Sequence, residues 1–321
     1  MARSSLDASP GELIAGTAII TLGCATAVYI PVLGFACFFL LPLPALFYHV
    51  RFGGHAAFIV CALSLLIISL LSWGVHTDTL LMAGMLGHGL LIGNYVKHNA
   101  SIEKTVAYPA LIVLAGAFFI IVLKGNLSGA GAFGLVSDHI KQNLELTVAL
   151  YKQVEASEDT IRMLEASVDR IHYALLAIFP AITAAALLIA AWINLLLGRI
   201  MLKAAGFQLS ALRRLNVWQA PDLLVWGVIA CGLFLLLPFQ APRIIALNIL
   251  IVAMMVYLFQ GFAIISFYFD KKKVPVFIRA LIYGAVAIQQ FLLLFVIGLG
   301  FFDTWLNLRR INAGGNDPSS S

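Results

Sequence analysis

Charged residues are scarce in this chain. Asp, Glu, Lys and Arg together make up 11% of its 321 residues, whereas 62% of the residues are hydrophobic. Soluble domains carry about 25% charged residues, and a soluble fold has no means of covering so large an apolar surface. The composition therefore excludes a soluble protein and predicts an all-α polytopic membrane protein.

Acidic residues are almost missing from the apolar segments, and familiar catalytic motifs are missing from the whole sequence. HExxH, GxSxG and Walker A patterns are absent, and no glycine-rich fingerprint follows a strand. The shortage of intramembrane acids also excludes an aspartyl pair and a carboxylate proton relay. We therefore expect a protein that is not an enzyme and that needs no cofactor.

Cysteine is rare, and its positions exclude a metal site or a disulfide framework. All four cysteines lie in apolar segments without CxxC spacing: Cys24, Cys37, Cys61 and Cys231. The basic residues do not alternate with aromatic ones, so nucleic-acid binding is not expected either. Contact of the basic loops with anionic lipid headgroups is the simpler interpretation.

Nine apolar segments are each close to the ~20 residues that cross a ~30 Å hydrocarbon layer. The first two touch, so eight to ten spans are compatible with the sequence. The segments cover residues 12–30, 32–50, 55–74, 78–96, 106–124, 173–198, 222–239, 244–268 and 276–301.

Lys and Arg concentrate in alternate loops, which predicts the orientation. The positive-inside rule predicts that the N-terminus lies in the cytoplasm. Nine complete spans put Arg309 and Arg310 outside, against that rule, unless the last segment does not fully cross. The predicted inner loops contain Arg51, Lys97, Lys104, Arg199, Lys203, Arg213, Arg214, Lys271, Lys272, Lys273 and Arg279.

The segment 125–171 is the long polar interruption, and residues 138–170 within it hold seven acids and four bases. Two sets of apolar residues recur at helical spacing, and Ser157 is typical of an N-cap. The segment therefore predicts an extracytoplasmic amphipathic helical hairpin. It either lies on lipid headgroups, covers the bundle or docks a partner. The apolar residues are Ile140, Leu144, Val148 and Tyr151, then Ile161, Leu164, Val168 and Ile171.

The hairpin divides the chain into four regions. Residues 1–124 form a five-span region, 125–171 the cap, 172–305 a four-span region and 306–321 a polar tail. No internal or inverted repeat is evident, which weakens the case for a stand-alone alternating-access transporter.

Polar residues inside apolar segments are the main candidates for a site, because lipid makes them costly. His88 lies among glycines in GMLGHGLLIGN, a stretch that is also typical of close helix packing. Each such residue either contributes to a polar ligand-binding cavity or bonds a neighbouring helix. The five candidates are His88, Asn194, Gln260, Gln289 and Gln290.

The stretch FFLLPLPALFYHVRFGG, residues 38–54, interrupts a span with Pro42 and Pro44. Each proline lacks an N–H and disturbs the preceding turn. In a membrane bundle, neighbouring helices can satisfy the freed carbonyls. The break therefore predicts a bend that shapes the bundle, with a binding cavity at the bend as the alternative.

This stretch, together with PVLG before it, resembles the opening signature of the YybS-like family of bacterial predicted membrane proteins. IFPAITAAALLIAAWINLLLGRIMLKAAG and IGLGFFDTWLNLRR are similar to later signatures of that family. The resemblance covers nearly the whole chain and implies a location in the bacterial cytoplasmic (inner) membrane. Its motif residues are Pro31, Gly34, Pro42, Pro44, Arg51, Gly53, Pro180, Asp303, Trp305 and Arg309.

The resemblance also implies a distant similarity to the substrate-binding subunits of energy-coupling-factor vitamin transporters. Those subunits are helical bundles of six spans that work with an ATPase and a coupling subunit. Their helix-1 Ala-x-x-x-Ala docking pattern is missing here, because Ala15, Ala18, Ala25 and Ala27 have a different spacing.

Two functions follow as hypotheses. The first is a transporter-like subunit that binds a small molecule within the helix bundle, and the alternative is a non-transport scaffold or regulator that docks membrane or cytoplasmic proteins. Both embed the chain in the lipid bilayer, and neither identifies the ligand.

Overall fold

The computed structural model describes residues 8–74, 76–154, 157–207 and 216–309. Within these ranges the chain forms twelve α-helices joined by turns and contains no strand, so the predicted all-α class is confirmed. The helices are α1 (Pro10–Tyr29), α2 (Pro31–Leu40), α3 (Pro42–Phe52), α4 (Gly54–Leu71), α5 (Thr77–Lys97), α6 (Ile102–Ser128), α7 (Gly131–Gln153), α8 (Glu158–Ala204), α9 (Leu223–Leu235), α10 (Gln240–Lys271), α11 (Val276–Ile288) and α12 (Gln290–Leu306).

Seven helical segments of the described chain are long and apolar enough to cross a membrane, or eight if α11 and α12 count as one broken span. A multi-pass membrane bundle is thus confirmed, although two of the nine predicted spans are wrong in detail. The span predicted at 222–239 is the helix α9, which has only 13 residues. Tight turns at Leu236 and Leu237 end it ahead of Pro238.

The span predicted at 276–301 is also wrong as a single helix. Gln289 adopts extended angles (φ −100°, ψ 109°), and the axes of α11 and α12 meet there at 105°. At the start of α11, Arg279 Nη1 contacts Asp270 Oδ1 at 2.6 Å. After α12, the Tyr268 hydroxyl donates to the Leu308 carbonyl at 2.8 Å. Both ends of the α11–α12 pair therefore lie beside the same end of α10, and the pair forms a re-entrant hairpin that turns back.

Basic residues mark one end of the bundle, which we call the basic end. Arg51, Lys97, Lys203 and Lys271 lie in the last turns of α3, α5, α8 and α10. The re-entrant hairpin brings Arg309 to this end as well, so the conflict with the positive-inside rule disappears for that residue.

Three other arginines that were used to predict the orientation lie outside the described residues, as does most of the predicted tail. The arginines are Arg213, Arg214 and Arg310, and the tail residues are 310–321.

The predicted amphipathic hairpin is confirmed, and it projects from the bundle. The helix α8 has 47 residues, or about 70 Å at 1.5 Å per residue, which is more than twice the ~30 Å hydrocarbon thickness. We call α7 together with residues 158–178 of α8 the stalk. Ser157 caps α8 by accepting from the Thr160 N–H, as predicted.

Contacts at both ends of the stalk hold its two helices together. Near the bundle, Ser137 Oγ lies 3.0 Å from His172 Nε2. Near the far end, Lys152 Nζ lies 2.7 Å from Glu165 Oε1. The predicted apolar residues are half-buried between the helices, except for Tyr151, which is exposed. Because α8 continues through residues 171 and 172, the predicted domain boundary falls inside a helix.

Candidate functional site

At the proline break, the chain contacts residues of two neighbouring helices. Leu41 separates α2 from α3, yet residues Leu33–Phe52 together are long and apolar enough to form one membrane span. The fully buried Asn194 donates through Nδ2 to the Phe39 carbonyl at 2.8 Å and to the Ala190 carbonyl at 2.7 Å. A Cβ at Gly89 would collide with the backbone of Pro42. The bend is therefore packed against α5 and α8.

His88 is fully buried on α5, and neither of its ring nitrogens has a hydrogen-bond partner among the described residues. The same is true of Asn194 Oδ1. Leaving a buried polar group unpaired costs about 1–3 kcal/mol. His88 and Asn194 are thus two interior positions where a bound group would gain a hydrogen bond, and ligand binding there stays a prediction.

A second polar centre extends from the middle of α10 towards the basic end, around a fully buried ion pair. Arg309 Nη2 lies 2.8 Å from Asp303 Oδ2, and neither side chain is exposed. Gln260 donates to the same carboxylate oxygen at 3.0 Å and accepts from the Ala220 N–H at 3.1 Å. The Leu308 N–H donates to Asp303 Oδ1 at 2.9 Å. Asp303 is thus held by three donors.

The same arginine ties this centre to the segment before α9. Arg309 Nη1 donates to the carbonyls of Trp218 at 2.9 Å and Asn216 at 3.2 Å. The indole N–H of Trp218 then donates to Glu103 Oε1 at 2.6 Å, at the start of α6. These bonds join α6, α10 and α12 at one place. Because almost every polar group in this network is paired, we interpret it as a structural clamp.

Gln289 and Gln290 lie at the break between α11 and α12, where both are exposed. The five predicted site residues therefore occupy different surroundings: His88 in the buried interior on α5, Asn194 at the proline break, Gln260 in the clamp and the two glutamines on the outside. Sequence reasoning recognised Asp303 and Arg309 through the family resemblance, but it did not connect them with Gln260.

Asn248 lines a further candidate site and is not among the five predicted residues. Its side chain accepts from the Ala181 N–H at 2.9 Å and donates to the Ala177 carbonyl at 2.8 Å, so it braces α8 around Pro180. A largely apolar groove of about 620 Å³ opens beside it, at the base of the stalk. The groove is lined by Phe133, Tyr173, Leu176, Ala177, Pro180, Ile244, Ile245, Asn248 and Ile249.

The remaining motif residues shape turns and helix ends. Gly34 packs against the carbonyls of Thr26 and Ala27, which lets α2 fold back on α1 after Pro31. Gly53 ends α3 at a positive φ of 95°, where glycine is favoured.

Two further motif residues, Arg51 and Trp305, make side-chain contacts with other residues. Arg51 Nη2 reaches Glu12 Oε1 of α1 at 3.3 Å. The half-exposed Trp305 packs edge-on against Phe301.

The far end of the stalk exposes apolar side chains. Leu146, Leu150, Val154 and Met163 are 63%, 59%, 73% and 76% exposed, and we call them the apolar tip. Leu146 and Leu150 are four residues apart and so share one face of α7, and Val154, four residues further on, is the C-cap residue of that helix. Met163 is two residues before Glu165 on α8, and the Lys152–Glu165 contact places this part of α8 level with the last turn of α7.

Comparison with known proteins agrees with this membrane architecture. The chain is similar to the "Uncharacterized protein YybS" of Bacillus subtilis (strain 168), with 24% identity over 270 residues that cover 82% of this chain and 84% of that protein. No solved structure matches the chain. The model of the family "Predicted membrane protein (DUF2232)" matches residues 17–304. Because that match covers most of the chain, including the stalk and the clamp residues Gln260 and Asp303, this protein belongs to the DUF2232 family of membrane proteins.

Proposed function

We propose that this protein is a membrane scaffold that docks a partner protein through the apolar tip of its stalk. The observation that carries the proposal is the exposure of α7, which contains no buried residue. Large apolar side chains on a projecting helix are costly in water unless another molecule covers them.

The geometry argues against the other two uses of the hairpin. A lid over the bundle would bury one face of α7 against the spans, and α7 has no such face. Lying flat on lipid is disfavoured because α8 runs as one helix from the stalk into its own span. In addition, the described stalk carries six acids against four bases, which anionic headgroups repel.

The proposal includes a sidedness. The basic end faces the cytoplasm and the stalk stands outside the cytoplasmic membrane, with the N-terminus inside. The gathering of Arg51, Lys97, Lys203 and Lys271 at one end of the bundle supports this orientation.

Site-specific photo-crosslinking in living cells tests the docking. A photoreactive residue at Leu146 is expected to give one discrete adduct. In that background, Leu150→Asp or Met163→Asp should reduce the adduct at least tenfold, because a charge is placed in the apolar contact. Ala149→Asp and Ala166→Asp are the controls, since they add the same charge at other exposed positions of the two helices. Absence of an adduct, or equal loss in all four variants, would contradict docking at the tip.

A second candidate, a transporter-like subunit that binds a small molecule, is favoured by the groove beside Asn248. Its mostly apolar lining fits an apolar molecule with one hydrogen-bonding group. Native mass spectrometry of the protein in nanodiscs is expected to detect such a molecule. Ile245→Trp should displace it, whereas Ile229→Trp, outside the groove, should not. An unliganded mass for the wild type would exclude this candidate. Both candidates are non-catalytic roles, as the sequence led us to expect.

A further inference from the structure

The apex of the re-entrant hairpin lies near the middle of the membrane. Leu258 of α10 packs against Val286 of α11 and Val296 of α12, on either side of the apex. Along α10, Leu258 is about 20 Å from Lys271 and about 22 Å from Arg243 at 1.5 Å per residue. The apex is therefore about equally far from the charged residues at both ends of α10.

This apex exposes polar groups where water is absent. Gln289 and Gln290 are both exposed, and neither carboxamide bonds to the described residues. The break also creates an extra pair of helix termini, whose backbone groups lack partners within a helix. Irregular backbone at this depth is tolerated only against protein or beside a water-filled cavity. The described residues of this chain supply no such protein cover.

We infer that a second copy of this chain covers the apex, with Gln289 and Gln290 hydrogen-bonded across a two-fold axis. A two-fold contact requires a self-complementary surface. A carboxamide meets this requirement because it both donates and accepts hydrogen bonds. The flanking Ile288 and Phe291 are 85% and 77% exposed, so they supply apolar area around the polar pair. Polar side chains hold membrane helices together in this way. The inference is independent of the docking function of the stalk.

Cysteine crosslinking tests the position of the contact. The four native cysteines are replaced by alanine, and Ile288→Cys or Phe291→Cys is introduced in full-length protein in native membranes. A short bifunctional thiol reagent is expected to give at least tenfold more homodimer at these positions than at Trp226→Cys or Leu22→Cys. Both control residues are also exposed, at 69% each. Equal crosslinking at all four positions would overturn the inference.

The polar contribution is tested by counting subunits in nanodiscs. The wild type is expected to be a dimer, and Gln289→Leu/Gln290→Leu is expected to shift it at least fivefold towards monomer. The matched variant Ala287→Leu adds an exposed leucine in the same turn and should leave the dimer intact. A monomeric wild type would overturn the inference, as would crosslinking of the apex only to a different protein. Rapid reaction of Gln289→Cys with a water-soluble maleimide would also overturn it, because it would reveal a water-filled cavity.

Discussion

Asp303 and Arg309 carry opposite charges at a place where neither side chain is exposed. Removing two such charges from water is expensive, and the cost is recovered only when the hydrogen bonds around them are nearly complete. Gln260, the Leu308 N–H and two carbonyls supply those bonds. Loss of one charged partner leaves the other buried and unpaired.

Asp303→Asn is therefore expected to destabilise the protein by about 3–5 kcal/mol. The double variant Asp303→Leu/Arg309→Met should recover a large part of that loss, because it removes both charges together. Thermal unfolding in nanodiscs measures the effect. Arg162→Gln is the control, since the Arg162–Glu158 pair is largely exposed and should contribute almost nothing. A shift no larger for Asp303→Asn than for the control would contradict the clamp.

At this scale the sequence identified residues but not their contacts. Gln260 was selected because a polar side chain inside a span needs a partner, and Asp303 through the family resemblance. Their contact spans 43 positions, and it depends on the return of α12 along α10. Hydropathy does not show that return. The bonds of Asn248 to backbone groups of α8 are likewise long-range contacts that the sequence does not reveal.

At the scale of elements, the proline break depends on close approach between α3 and α5. Gly89 leaves room for the Pro42 backbone, whereas the nearby Gly87 faces open space. The glycine-rich stretch thus contains positions with different roles, although they look alike in the sequence.

Gly89→Ala is expected to cost roughly 1–3 kcal/mol, because its methyl group would overlap the Pro42 carbonyl and separate the helices. Gly87→Ala should cost nothing, since no atom lies within 4 Å of its added Cβ. Unfolding midpoints of the two variants give the comparison. Equal midpoints would show that α3 and α5 do not touch at the break.

The re-entrant hairpin makes a prediction about the C-terminus. Because α12 returns to the basic end, a C-terminal green fluorescent protein is expected to fluoresce, and a C-terminal alkaline phosphatase is expected to be inactive. Fusions after Arg243, at the other end of α10, should behave oppositely. Active phosphatase at the C-terminus would mean that the last apolar run crosses the membrane completely.

Elements formed by interactions between residues close in sequence could be predicted, whereas those formed by long-range contacts could not. The stalk was predictable because its apolar spacing and the Ser157 cap are local. The break at Gln289 was not, since residues 288–291 (IQQF) contain neither proline nor glycine. Hydropathy alone predicts one span for this run, whereas in the structure both of its helices pack against α10.

At the scale of the whole molecule, the two ends of the bundle carry different features. The clamp and the basic residues occupy one end of the bundle, and the acidic stalk with its apolar tip projects from the other. Composition predicted the membrane bundle and the separation of charge. The projection of the stalk required the structure, because the continuity of α8 through its span decides the direction.

The most direct test of this account is the sidedness of the two ends in intact cells. In a cysteine-free background, Met163→Cys at the tip and Lys272→Cys in the basic loop are exposed to a membrane-impermeant maleimide. The account predicts that Met163→Cys is labelled in intact cells and that Lys272→Cys is labelled only after the membrane is permeabilised. Labelling of both positions in intact cells, or of Lys272→Cys alone, would contradict it.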